Sequence, residues 1–255
     1  MDLSAVDHVL AALAAVGAGL VNAVAGGGTL ISFPALVALG VPSVQSNITN
    51  TVALCPGYFG GTVAQRHDLA HQRHRLRSLS VVAAAGGLLG SILLVISPED
   101  VFETIIPFLL FLACGLLAFQ ERLRRLIPAR TGADEDDASP TPVLLAGVFV
   151  ATIYGGYFGA GLGIILIATL GVLLDDSMAH LNALKQAIAL VTNVVAAAFF
   201  VFSGDVVWSL ALVMAPAALA GGAIGGRLAT RLDPRILRAV VITIGLIVAI
   251  RYLLP

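Results

Sequence analysis

Lysine occurs once in this 255-residue chain, tryptophan once and cysteine twice, and charged residues make up only 11% of it. Cys55 and Cys114 both lie inside apolar runs, so they provide neither a disulfide framework nor a metal-ligand spacing and read as small buried hydrophobes. No G-x-x-x-x-G-K-[ST] motif is present, which excludes a chain that drives itself with ATP through a phosphate-binding loop. The start MDLSAVDHVL has no positive region, so a cleaved signal peptide is not expected and the first helix is expected to stay inserted. No cofactor, metal or nucleic-acid partner is expected.

Apolar sequence fills the space that charge leaves: 58% of residues are hydrophobic and mean hydropathy is +0.99. A soluble chain of this length has too little interior to hide that much apolar surface. Runs at 79–96, 105–119, 188–202, 206–220 and 239–250 are long and apolar, several of them long enough to cross a bilayer. They do not alternate as barrel strands do. The expected fold class is an all-α polytopic membrane protein, with about 8–10 transmembrane or half-membrane helices in two inverted repeats.

Hydrophobicity collapses at 127–142 into Pro, Gly, Ser and an acidic run, marking a surface linker. We divide the chain into an N-terminal repeat at 1–127, a cytoplasmic linker at 128–141 and a C-terminal inverted repeat at 142–255. An offset of 135 residues separates Gly28 from Gly163 and Gly86 from Gly221, and AGGLLGSIL from Ala85 recurs as AGGAIGGRL from Ala220. Such self-similarity indicates an internal duplication. Each half holds five hydrophobic pieces, at 5–24, 27–41, 46–65, 78–96 and 101–120, then 142–158, 160–174, 181–202, 206–226 and 236–254.

Arginine orients these pieces, because cytoplasmic loops are rich in Arg and Lys. Three groups fall on one side if every piece crosses: Arg66, Arg73, Arg75 and Arg77; Arg122, Arg124, Arg125 and Arg130; and Arg227, Arg231, Arg235 and Arg238. Loops 97–100 and 203–205 have neither Arg nor Lys and fall on the other side, where Arg251 is the exception. An odd number of crossings per half inverts the second copy relative to the first. The short glycine-broken pieces fit either full crossings or re-entrant hairpins, and parity does not separate the two.

Those pieces carry the expected chemistry. Gly26-Gly27-Gly28 and Gly159-x-Gly161-x-Gly163 let the backbone leave the helix at membrane depth, which is tolerated only beside protein or a wet cavity. A new helix starting at Thr29 or Ile164 would aim its positive dipole end and N–H groups at an anion. Gly86-Gly87, Gly90, Gly221-Gly222 and Gly225-Gly226 read instead as close-packing positions.

Polar residues occupy equivalent places in the third and eighth pieces: 45–51, with Asn47 and Asn50, and 182–186, with Asn182, Lys185 and Gln186. Lys185, about one turn into its piece, is a candidate charge for an anionic substrate, a candidate proton-coupling group, or a residue whose head snorkels to the interface. Asn22 and Asn193 are candidate cavity residues, although such groups also bond helix to helix. Pro56 and Pro216 are expected to kink their helices. His67, His71 and His74 fall in a basic stretch at 66–77 that reads as a solvated loop.

The glycine-rich stretch at 25–30, the Ser/Asn/Thr segment at 46–51, His67-Asp68-Leu69 with Gly204-Asp205-Val206, and the repeated A-G-G-x-x-G-x-x-L at 85–93 and 220–228 resemble the TauE/SafE family of sulfite and organosulfonate exporters. The resemblance covers nearly the whole chain. It implies a multi-pass inner-membrane exporter of sulfite or small sulfonates, with the lipid bilayer and a small anion as partners and a homodimer left open. The second copy departs from the family, reading Gly159-Ala160-Gly161-Leu162-Gly163 where a glycine triplet is usual. Rivals from other classes are a passive channel, a membrane-embedded enzyme and a scaffold. An enzyme needs convergent acids, bases or metal ligands, and only Lys185 is ionisable well inside an apolar piece.

Overall fold

A computed structural model of the chain describes residues 3–24, 27–70, 72–126, 140–203, 205–228 and 234–254. Gly26, His71, Gly204, Arg130, Arg231 and linker residues 128–139 lie outside the described residues. The described residues form helices only: α1 (Ala5–Val24), α2 (Thr29–Ala38), α3 (Ser43–Ala64), α4 (Arg66–Leu69), α5 (Arg73–Ile96), α6 (Glu99–Leu126), α7 (Pro142–Tyr157), α8 (Leu162–Leu173), α9 (Met178–Ser203), α10 (Trp208–Leu228) and α11 (Pro234–Leu253). Stretches within α1, α5, α6, α9 and α11 are long and apolar enough to cross a membrane. The chain is an all-α polytopic membrane protein.

Helix boundaries follow local chemistry. Thr141 caps α7, its hydroxyl oxygen accepting the Leu144 N–H at 3.3 Å, and Pro142 occupies the first turn, where no donor is needed. Helix α3 starts after Pro42, and its Val44 N–H is capped from another helix, by Glu99 Oε1 at 3.1 Å. Pro56 and Pro216 sit inside α3 and α10, both of which continue through them.

The stretch at 66–77 corrects the expectation of a solvated loop. Helix α4 and the first turn of α5 occupy most of it, and Gln72 and Arg75 are buried. The reason is a partner far along the chain: Arg75 Nη1 donates to Asp176 Oδ2 at 2.9 Å, so a positive side chain within the packed end of the bundle is neutralised there. Helices α3 and α9 also begin three residues earlier than their apolar pieces, at Ser43 and Met178. Polar first turns hide a helix start from a reading based on hydropathy.

The two halves interlock. Helix α1 lies along α10 and α7 along α5, while α3 packs on α9 and α6 on α11. Each pairing joins the halves, and the pattern maps onto itself when they are exchanged. Three buried apolar clusters each draw on both halves as well. Glycine permits the closest approaches: a Cβ on Gly90 would fall 2.1 Å from the Ile153 carbonyl oxygen, one on Gly156 2.1 Å from that of Gly87, and one on Gly221 2.1 Å from that of Val16. These are packing positions, since in lipid small residues let backbones close on each other where larger ones hold them apart.

Helices α1 and α2 form one hairpin, and α7 and α8 another, with Gly17 near Ile31 and Gly147 near Thr169. Ten residues give α2 a length of about 15 Å and twelve give α8 about 18 Å, against a hydrocarbon core of roughly 30 Å, so neither helix spans alone. The first hairpin opens toward the acidic end of the bundle, where α2 leads into Ser43 and Ser43 meets Glu103. The second opens toward the arginine-bearing end, where α8 leads into Asp176.

Candidate functional site

At the tip of the first hairpin, Gly27 takes φ +87°, a conformation that any side chain would strain, and Gly28 precedes α2. A Cβ on Gly28 would fall 2.2 Å from the Ala18 carbonyl oxygen, so the turn is folded tightly against α1. The Gly28 N–H donates to Asn22 Oδ1 at 2.8 Å. Asn22 thus satisfies one of the amide groups expected to face an anion. One turn into α2, buried Ser32 approaches the Gly28 carbonyl at 3.3 Å and donates to Asn50 Oδ1 of α3. Thr29 and Asn50 are buried beside it.

At the second tip, Gly159 and Gly161 take φ +77° and +79°. Helix α8 starts immediately after Gly161, so Gly163 is its second residue and does not belong to the turn, contrary to expectation. The Tyr154 hydroxyl donates to the Ala160 carbonyl at 2.6 Å and pins the loop. Asn47 Nδ2 of α3 donates to the last carbonyl of α7, that of Tyr157, at 2.8 Å. The other end of that amide, Asn47 Oδ1, is buried and accepts no hydrogen bond among the described residues. Phe158 stacks edge-on with Phe33 of α2 at 5.5 Å, bringing the first hairpin against the second tip.

The two tips therefore share neighbours. Asn47 and Asn50, one turn apart on α3, reach the second and first hairpins respectively. On the other side, a Cβ on Gly27 would lie 3.5 Å from Leu117 Cδ2, and one on Gly161 3.7 Å from Ala113 Cα, so both turns rest on adjacent turns of α6.

Lys185 joins from α9. It is half-buried about two turns into the helix, deeper than the one turn expected, because α9 starts at Met178. Its stem runs past Gly163, whose Cβ would lie 3.7 Å from Lys185 Cδ, and Nζ donates to Asn182 Oδ1 at 3.3 Å. The absence of a side chain at Gly163 gives the lysine its path along α8. Asn182 in turn donates to the Met178 carbonyl at 2.9 Å. Gln186 instead serves the α3–α9 seam, its backbone carbonyl accepting from Thr62 Oγ1 at 3.4 Å and its side-chain Nε2 donating to the Tyr58 carbonyl at 3.5 Å. Asn193 is buried and bonds within its own helix, to the Ala189 carbonyl.

Three features escaped the sequence reading. Ser32 is a lone hydroxyl in an apolar run, and only its i, i+4 relation to Gly28 could have marked it. Asp176 receives Arg75 and also His180 Nδ1 at 2.7 Å, a bridge between segments about one hundred residues apart. Ser43 Oγ donates to Glu103 Oε1 at 3.1 Å and lies 2.8 Å from the Tyr252 hydroxyl, joining α3, α6 and α11 at the acidic end.

The family model described as "Sulfite exporter TauE/SafE" matches residues 11–252. The chain is 30% identical over 259 residues to "Probable membrane transporter protein ORF9" of Sinorhizobium sp., covering 96% of this chain and 93% of that one. It is 27% identical to a "Probable membrane transporter protein" of Haemophilus influenzae, with 92% and 90% covered, and 24% identical to "Probable membrane transporter protein YfcA" of Escherichia coli K12, with 92% and 86% covered. No solved structure matches it. With the match running almost from end to end, the chain belongs to the sulfite exporter TauE/SafE family.

Proposed function

We propose that the protein is a secondary transporter of the inner membrane that exports small sulfur-containing anions, sulfite or organosulfonates, by alternating access coupled to a proton or another ion. Its family and the printed names of its relatives support transport across a membrane as the general activity. One observation carries the finer reading: the two glycine-broken hairpins, one from each half, meet the same polar stretch of α3, at Asn50 through Ser32 and at Asn47 through the Tyr157 carbonyl. In this reading 1–127 and 142–255 are inverted repeats, and their hairpins open the shared region alternately to opposite ends of the bundle. The start of α2 and the start of α8 stabilise the anion through N–H groups and dipole, and Lys185 supplies the cation beside the second turn. Asn22 holds the first turn closed, while Ser32 and Asn50 hold it to α3.

Proteoliposomes loaded with sulfite test this. Flux driven by a proton gradient, lost in Lys185→Ala and retained in Gly57→Ala, is the expected result. Wild-type flux in Lys185→Ala overturns the site, and flux indifferent to every ion gradient favours a passive channel. A thermal-shift screen against sulfite, sulfoacetate, thiosulfate, phosphate and short carboxylates identifies the anion, because a ligand that binds the folded state stabilises it.

A further inference from the structure

A cavity of about 410 Å³ lies at the acidic end of the bundle, lined by Pro34, Val37 and Ala38 of α2, Glu103 of α6, and Val248, Arg251 and Tyr252 of α11. That volume is within the usual range for small-molecule sites. It sits at the opposite end of α2 from the Gly27-Gly28 turn, so the same short helix touches both places.

Two opposite charges face an otherwise apolar lining. Arg251 is the one basic residue that the arginine distribution leaves on this side of the membrane. It is exposed and makes no ion pair or hydrogen bond among the described residues. Glu103 is held differently: Oε1 accepts from Ser43 Oγ, and Ser43 in turn lies against the Tyr252 hydroxyl. Since Ser43 has a single proton and gives it to Glu103, Tyr252 is the donor in that second contact. The chain of three groups fixes Glu103 in place, and among the described residues its Oε2 receives no hydrogen bond. An aligned carboxylate and an unpaired guanidinium lining one cavity together with proline, valine and alanine complement a short molecule with opposite charges at its ends.

From this cavity we infer a second binding site, an outer vestibule for a small zwitterion, whose sulfonate or carboxylate meets Arg251, whose ammonium meets Glu103, and whose short apolar linker lies on α2. It deepens the transport reading by placing a recognition step at the far end of α2, and it rests on that reading only for its place on the transport path.

The test uses the full-length protein in lipid nanodiscs, with binding read by calorimetry for taurine, ethanesulfonate and β-alanine. A Lys185→Ala background removes the proposed central site. There, taurine and β-alanine are expected to bind, ethanesulfonate at least about tenfold more weakly because Glu103 is left without its cation. Adding Arg251→Gln is expected to abolish binding of all three, and adding Glu103→Gln to bring taurine down to the level of ethanesulfonate. Binding that survives Arg251→Gln overturns the vestibule, as does a failure of Lys185→Ala to bind any probe. Neither result touches the sulfite flux that tests the central site, so the two readings fail separately.

Discussion

Arg75 and Asp176 meet at 2.9 Å across the two halves of the chain, with side chains only 9% and 11% exposed. Asp176 also receives the His180 ring and the Ser177 N–H, so one carboxylate ties the start of α5 to the start of α9. Removing Arg75 leaves Asp176, a carboxylate with little access to water, without its arginine. Arg75→Leu is expected to destabilise the protein by about 3 kcal/mol, whereas replacing both Arg75 and Asp176 with apolar residues costs less. Thermal unfolding in detergent compares the single and double variants.

Glycines separate into those that pack and those that do not. Gly90→Ala drives a methyl group into the Ile153 carbonyl, and folded, monodisperse protein is expected to be lost. Gly57→Ala meets nothing within 4 Å and is expected to be neutral, or to stabilise by about 0.5–1 kcal/mol through helix propensity. Size-exclusion chromatography and unfolding temperature distinguish the outcomes.

Backbone conformation distinguishes the glycines of the second hairpin. Gly161→Ala forces a left-handed conformation on a residue with a Cβ, at a cost of about 1–2 kcal/mol. Gly163→Ala keeps a helical backbone and touches only the flexible Lys185 stem at 3.7 Å. Gly161→Ala is therefore expected to lower both stability and anion flux, and Gly163→Ala to alter flux alone.

Asn47→Leu leaves the Tyr157 carbonyl without its donor, and Ser32→Ala leaves Asn50 Oδ1 without its own. Each leaves an acceptor inside the bundle unsatisfied, a loss of about 1–3 kcal/mol. If the two hairpins act through α3, each variant is expected to reduce sulfite flux in proteoliposomes by about tenfold or more. A variant that folds and transports normally removes that hydrogen bond from the mechanism.

Most of the helices were legible in the sequence because apolar length and glycine breaks are local signals. The ten hydrophobic pieces correspond to α1, α2, α3 and α5 to α11. Starts were less legible where polar residues open a helix, as at Ser43, Arg73 and Met178. The reason is tertiary: Arg75 is stable in a helix within the bundle because Asp176 is there to meet it, and nothing near Arg75 in sequence says so. At the candidate site, the residue types were readable and the partners were not. Asn47 and Asn50 stand in a conspicuous polar run, yet their division between two hairpins depends on α3 passing between them. Gln186 looked equivalent to its neighbours and instead faces the α3 seam.

The interlocked pairing also bears on how the protein is made. Helix α1 is made well before its main partner, α10. Until then its small-residue face, including Gly19, lacks the α10 backbone that it will meet, and the polar run of α3 lacks the Tyr157 carbonyl and Val207 amide that it will bond. The contacts that join the halves therefore form only once the second half has been made.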